Sequence, residues 1–148
     1  MGLVDELQGV RVCMDTAPII YFIEKNPKYL GVLKPVFLDI DNGRIEAITS
    51  TITLLEVLVH PFRTKNDILA EKYRDILLYS DGLTAFEIFH EVSEICSKLR
   101  AKYSIRTPDA IQIAVGLLYK APKFLTNDSA LKKVSDIDVL VLDDFLKK

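Results

Sequence analysis

Short apolar runs alternate with stretches of helical spacing along almost the whole chain, and that alternation constrains the fold more than any other feature. Val10 to Met14 reads as a buried strand, closed by Asp15. Thr16-Ala17-Pro18 opens a helix with Thr16 as its cap and Pro18 in its first turn, and Ile19 to Ile23 follow, apolar all round. A second helix is expected from about Pro35 to Asp41, stopped by Gly43. Arg44 to Thr49 is the second strand; Ser50 or Thr51 then caps a helix carrying Leu54, Leu55, Glu56, Val57 and Leu58, which Pro61 ends. Ile68, Leu69, Tyr73, Ile76 and Leu77 give Lys65 to Tyr79 a helical period, and Leu83 to Phe86 is a short third strand. The period returns over Ile88 to Tyr103 through Phe89, Val92, Ile95, Cys96 and Leu99. Thr107-Pro108-Asp109 starts a helix to about Tyr119, with Thr107 capping, Pro108 at the first helical position and an acid in the first turn. Lys123 to Thr126 is a fourth strand, Asn127-Asp128-Ser129 opens a short helix, and Val139 to Leu142 is a fifth strand.

Strands this short and apolar, separated by helices, form βαβ units whose mostly parallel sheet is covered on both faces. The expected architecture is therefore a three-layer α/β/α fold with about five strands, and 148 residues suit one domain spanning 1–148. No polar low-complexity tract or long like-charge run points to disorder. The longest nearly apolar run, Ala110 to Tyr119, contains Gln112 and is about half a bilayer span. The segment Met1 to Glu6 has no basic stretch followed by an apolar one, and Glu6 stands where a myristoylation signal wants Ser or Thr. Cys13 and Cys96 show no metal-binding spacing and sit in apolar stretches, as reduced core residues do. From these features a cytoplasmic protein, off the membrane, is expected. A net charge of −2 argues against nonspecific coating of nucleic acid, but leaves room for a local basic patch.

Ligands of open parallel sheets collect at the carboxyl ends of the strands. Asp15 directly follows the first strand, Glu56 lies in the helix after the second, Asp109 opens the helix before the fourth, and Asp128 comes just after the fourth. A carboxylate in the first turn of a helix is favoured by the helix dipole whatever its function, which explains Asp109 or Asp128 taken singly. Asp15, between Met14 and an apolar helix, and Glu56, between Leu55 and Val57, are expected to be partly buried, where an unpaired charge costs several kcal/mol. Arg106 is the main cation near them in sequence. Taken together, the four acids are best explained by a metal ion. An all-oxygen set suits Mg²⁺ or Mn²⁺ rather than zinc. His60 and His90 stand alone and read as structural or surface residues, and Glu91 as part of a solvated helix face.

At these residues the chain resembles the PIN-domain family, and within it the toxin ribonucleases of the VapC type. The likeness lies in Asp15-Thr16-Ala17-Pro18-Ile19-Ile20-Tyr21-Phe22, Ser50-Thr51-Ile52-Thr53-Leu54-Leu55-Glu56-Val57, Thr107-Pro108-Asp109-Ala110-Ile111-Gln112-Ile113-Ala114 and Phe124-Leu125-Thr126-Asn127-Asp128, in order over essentially the whole chain. It departs where many relatives have Asn or Ser after the Asp-Thr pair and this chain has Ala17-Pro18. The resemblance implies a metal-dependent endoribonuclease with Asp15, Glu56, Asp109 and Asp128 as catalytic metal ligands, RNA as substrate, an antitoxin protein as partner, and a homodimer formed through apolar residues of the middle helices. Thr16 and Thr126 are candidates for orienting water or phosphate, and Arg106 for phosphate contact, with Arg63, Lys65, Arg100 and Lys102 as further cations. An RNA-processing nuclease outside any toxin–antitoxin pair and a non-catalytic interaction module share the same features. Two other parallel-sheet classes fit poorly. A haloacid-dehalogenase phosphatase needs an acid where Ala17 stands, and a receiver domain needs an acidic pair where Met14 precedes Asp15.

Overall fold

The computed structural model describes residues 2–146. The chain runs α1 (Leu3–Leu7), β1 (Arg11–Met14), α2 (Thr16–Ile23), α3 (Leu30–Asp41), β2 (Glu46–Ser50), α4 (Thr51–Arg63), α5 (Asp67–Leu78), β3 (Leu83–Phe86), α6 (His90–Lys102), α7 (Thr107–Leu118), β4 (Lys123–Thr126) and β5 (Asp138–Val141), with 3₁₀ turns at Ser129–Lys133 and Leu142–Phe145. All five strands are parallel in the order β3-β2-β1-β4-β5, as expected of the α/β class. β1 is the central strand. The chain builds outward from it to β2 and β3, then crosses back to add β4 and β5 on its other side. The strand order reverses between β1 and β4, which opens a crevice beyond their carboxyl ends.

The two-residue side-chain period of β1 divides the interior. Val12 and Met14 join one apolar cluster, with Leu33, Val36 and Phe37 of α3 and Tyr73 and Leu77 of α5. Cys13, between them in sequence, faces the opposite cluster, with Val92, Cys96 and Leu99 of α6 and Ile113, Ala114 and Val115 of α7. Ala47 and Ile48 of β2, and Leu125 and Phe124 of β4, split the same way, so helices cover both faces of the sheet. α7 lies close against β1 at Gly116, where a β-carbon would stand 3.1 Å from Cys13 Cβ and 3.2 Å from Ile137 Cδ1. Cys13 and Cys96 are both buried and free, and burial pushes both thiols up.

Several expected boundaries shift. α3 begins at Leu30 and contains Pro35, because Leu33 extends the buried stripe of Val36, Phe37 and Ile40 toward the amino end. Pro61 lies inside α4, which continues to Arg63; the last turn closes through the Thr64 amide on the His60 carbonyl and the Asn66 amide on the Pro61 carbonyl. Thr16 does not cap α2. Asp15 does, its carboxylate accepting from the Thr16 amide. Thr107 is likewise the first helical residue of α7, with Arg106 at the cap position and no side-chain cap. Asp128 caps a 3₁₀ turn rather than an α-helix. The helix α1 escaped sequence reading, since five residues are too few for a period.

Candidate functional site

Beyond the carboxyl ends of β1 and β4 lies a cavity of about 280 Å³ lined by Asp15, Thr16, Ala17, Ile20, Tyr21, Glu56, Arg106, Asp109, Thr126, Asn127 and Asp128. The four acids singled out in the sequence line this one cavity, and so do Thr16, Thr126 and Arg106. Local structure holds each acid in place. Asp15 caps α2 through a 2.8 Å bond from the Thr16 amide to Oδ1, and its Oδ2 accepts from the Thr126 hydroxyl at 2.8 Å. Glu56 Oε1 accepts from the Thr16 hydroxyl at 2.7 Å. Asp109, 7 % exposed, accepts from Arg106 Nε at 3.3 Å. Asp128 Oδ1 accepts from the Ala130 amide at 3.0 Å, and the Asp128 amide in turn donates to the Thr126 hydroxyl at 3.1 Å.

The expectation of two partly buried acids holds for Asp15 and fails for Glu56. Glu56 lies on the exposed side of α4, between exposed Leu55 and buried Val57. Asp15 carries the electrostatic cost of the site. Burial raises its carboxyl above the usual range, the charges of Asp109 and Glu56 push it further the same way, and the bonds from Thr126 and Thr16 offset part of the rise. Arg106 is exposed and its guanidinium is held protonated chiefly by Asp109, with smaller contributions from Asp128 and Glu56. Among the described residues it is the one cation in the lining.

Sequence reading missed the layer beneath. Gln112, one turn after Asp109 on α7, is buried with Thr49, Ser50, Thr53 and Thr16. Its Oε1 accepts from the Ser50 hydroxyl at 2.8 Å and the Ser50 amide at 3.2 Å, while its Nε2 approaches Thr53 Oγ1 at 2.5 Å and Thr16 Oγ1 at 3.3 Å. Thr53 Oγ1 is 3.0 Å from both Thr16 Oγ1 and Thr49 Oγ1, and the Thr49 hydroxyl donates to the Met14 carbonyl at 2.8 Å. The available signal was Gln112 itself, a lone amide in an otherwise apolar run, which burial obliges to find partners. Asn127 of the lining donates to the Tyr29 hydroxyl at 2.9 Å, and Tyr29 stacks on Tyr21 with ring centroids 4.3 Å apart. His60, His90, Glu91, Arg63, Lys65, Arg100 and Lys102 are exposed and line no part of this cavity.

The lining fits a hard divalent cation. Its charged donors are carboxylates alone, one of them buried against its own kind, with a single exposed arginine to balance them. Among the described residues, no three Asp, Glu, His or Cys side chains are drawn close enough to form a ready-made ion cage. The acids surround the space rather than closing it.

The sequence profile of the PIN domain matches residues 12–137, a span that runs from β1 to the segment before β5 and takes in all four acids. The chain belongs to the PIN domain family. No curated protein matches its sequence. In fold, this PIN domain is similar to a chain of VapBC2 from Rickettsia felis, solved bound to a DNA fragment from their promoter. There the identity is 18% and the TM-score 0.69, covering 88% of this chain and 98% of that one. A chain of a toxin–antitoxin complex from Klebsiella pneumoniae is similar at 20% identity and a TM-score of 0.67, covering 89% and 97%. A chain of DNA-bound VapBC from Salmonella typhimurium is similar at 14% identity and a TM-score of 0.64, covering 90% and 98%. The PIN domain thus spans nearly the full length of these neighbours. Among its described residues, no helix is long and apolar enough to cross a membrane.

Proposed function

We propose that this PIN domain is a divalent-metal-dependent endoribonuclease and the toxin of a toxin–antitoxin pair. One observation carries the nuclease reading: four carboxylates from four separate segments line a single cavity at the switch point of a parallel sheet, with one arginine at its rim. Asp15, Glu56, Asp109 and Asp128 would hold Mg²⁺ or Mn²⁺. When bound, the ion supplies charge neutralisation at the scissile phosphate and acidifies a water molecule. The residues of the chain do the rest. Thr126 fixes the Asp15 carboxylate and Thr16 fixes that of Glu56, so neither acid must be ordered when RNA arrives. Arg106 is exposed beside Asp109 and offers a phosphate its guanidinium. In-line hydrolysis would leave 5′-phosphate and 3′-hydroxyl ends.

The toxin assignment is supported by the family together with fold neighbours found in VapBC and toxin–antitoxin complexes. It brings an antitoxin partner, a cytoplasmic setting and a homodimer. The exposed Leu55, Val59 and Phe62, which recur along one side of α4, are the surface proposed for the dimer. The test is cleavage of a mixed pool of labelled structured and single-stranded RNAs in Mn²⁺, in Mg²⁺ and in EDTA, with Asp15→Asn alongside. Cutting that needs the ion and Asp15 is the expected result. No cutting of any RNA, together with no Mn²⁺ binding by calorimetry, overturns the catalytic reading and leaves a PIN-like interaction module.

A further inference from the structure

The buried layer beneath the acids has a direction. A backbone N–H only donates, so the Ser50 amide requires the oxygen of the Gln112 side chain to face it, and the NH₂ group must face Thr16 and Thr53. An NH₂ group donates and does not accept, so both threonine oxygens receive hydrogens from Gln112. Each hydroxyl has one hydrogen of its own to place. Thr49 places its hydrogen on the Met14 carbonyl at 2.8 Å, which leaves its oxygen open to Thr53 at 3.0 Å. Thr16 places its hydrogen on Glu56, 2.7 Å away, because an ionised carboxylate only accepts. Donation therefore runs one way, from Ser50 through Gln112 and Thr16 to Glu56.

The burial makes this order consequential. Gln112 is 1 % exposed and Thr53 fully buried, so solvent water does not compete for the bonds that Gln112 makes to Ser50 and Thr53. Glu56, by contrast, lies on the exposed side of its helix, where a flexible carboxylate would sample many rotamers. Its hydrogen bond from Thr16 ties it to the interior. Without the Gln112 amide, Thr16 Oγ1 loses the hydrogen it accepts, and Thr53 at 3.0 Å is what remains to hold that hydroxyl in the buried layer. Gln112 also lies one turn from Asp109 on α7, so the helix that carries one acid of the cavity orients a second acid carried by α4.

We propose that Gln112 is a positioning residue, which holds the Glu56 carboxylate toward the cavity by anchoring the Thr16 hydroxyl that donates to it. This rests on the metal-dependent reading above for its effect on the ion, but the hydrogen-bond order exists without any ion. The experiment therefore has two arms. In metal-free protein, the side-chain NH₂ protons of Gln112 exchange slowly by NMR, and the Glu56 side-chain carboxyl resonance moves in Gln112→Met although nothing at Glu56 has changed. Rapid exchange, or an unmoved Glu56 resonance, overturns the proposal whether or not the protein binds metal. In the second arm, Mn²⁺ affinity by calorimetry is compared in wild type, Gln112→Met, Thr16→Val and the double variant. Outer partners of metal ligands typically cost 10–100-fold when lost, so Gln112→Met weakens Mn²⁺ on the order of tenfold. In the Thr16→Val background the same change costs less than about twofold, because its route to Glu56 is already gone. Losses that multiply, or Gln112→Met binding Mn²⁺ as wild type does, overturn it. Should Gln112→Met not fold, Gln112→Glu keeps the size and the acceptor facing Ser50 while turning the donor into an acceptor, and the same weakening is expected. Absence of Mn²⁺ binding in wild type defeats the metal reading alone, and the NMR arm still decides the hydrogen-bond order.

Discussion

Asp15 caps α2 and faces the cavity with the same carboxylate, and its two roles respond differently to substitution. Asparagine caps a helix about as well as aspartate, so Asp15→Asn preserves the start of α2. It removes the charge and puts an NH₂ donor where Oδ2 accepts from the Thr126 hydroxyl. Loss of an outer partner of a metal ligand already costs 10–100-fold, so loss of this acid is expected to lower RNA cleavage by more than about 100-fold at saturating Mn²⁺, read as initial rates. Stability moves the other way. Folding raises the Asp15 carboxyl, so the native state favours its protonated form. That contribution is fully present below the unfolded value of about 3.9 and is lost as pH rises through the raised folded value. Metal-free Asp15→Asn is therefore expected to gain melting temperature relative to wild type as pH climbs from about 4 to neutrality, and to match it at lower pH. Added Mn²⁺ should narrow the gap by stabilising wild type alone. A gap that does not change with pH would contradict this account. Arg106, exposed at the rim, is a different case: Arg106→Ala is expected to raise KM for RNA several-fold and flatten its salt dependence.

At the scale of elements, the residues that were readable in advance were those whose position follows from chain punctuation. Asp15 and Asp128 stand where strands end, and Asp109 follows Pro108, so strand and helix signals located them. Their supports were harder to see. Thr49 is an ordinary β-branched strand residue and Thr53 an ordinary helical one, and only the packing of α7 across β2 brings them to Gln112. The two helix caps assigned to threonines belong one residue earlier because extended backbone persists through Asp15 and Arg106, a difference that residue preference alone does not resolve. The exposure of Glu56 was misread for a similar reason. Leu55, Val59 and Phe62 give α4 an apolar look on a side that is in fact exposed. Packing between elements also sets one close approach. A β-carbon on Gly82, just before β3, would lie 2.5 Å from the Ile40 carbonyl oxygen near the end of α3. Gly82→Ala must therefore displace backbone, and the expected cost is about 1–3 kcal/mol by urea denaturation with an unchanged m-value. A neutral result would mean that the end of α3 yields easily.

At the scale of the whole molecule, the parallel five-stranded sheet followed from the alternation of apolar runs, and the strand order did not, because pairing across long intervals leaves no local mark. The proposed dimer is tested here too: Phe62→Asp places a charge within the exposed apolar stripe of α4 and is expected to shift sedimentation from dimer to monomer while leaving Mn²⁺ affinity within about twofold. A monomeric wild type would remove the dimer from the proposal. The reversal of strand order at β1 and β4 has one further consequence. Asp15 meets Thr126 across 111 residues of chain, and Asp128 lies later still. During synthesis the first acid leaves the ribosome long before its last companions exist, so an unfinished or truncated polypeptide carries isolated carboxylates and no site. Under the proposed function, cleavage of RNA therefore waits until β4 and Asp128 have been made.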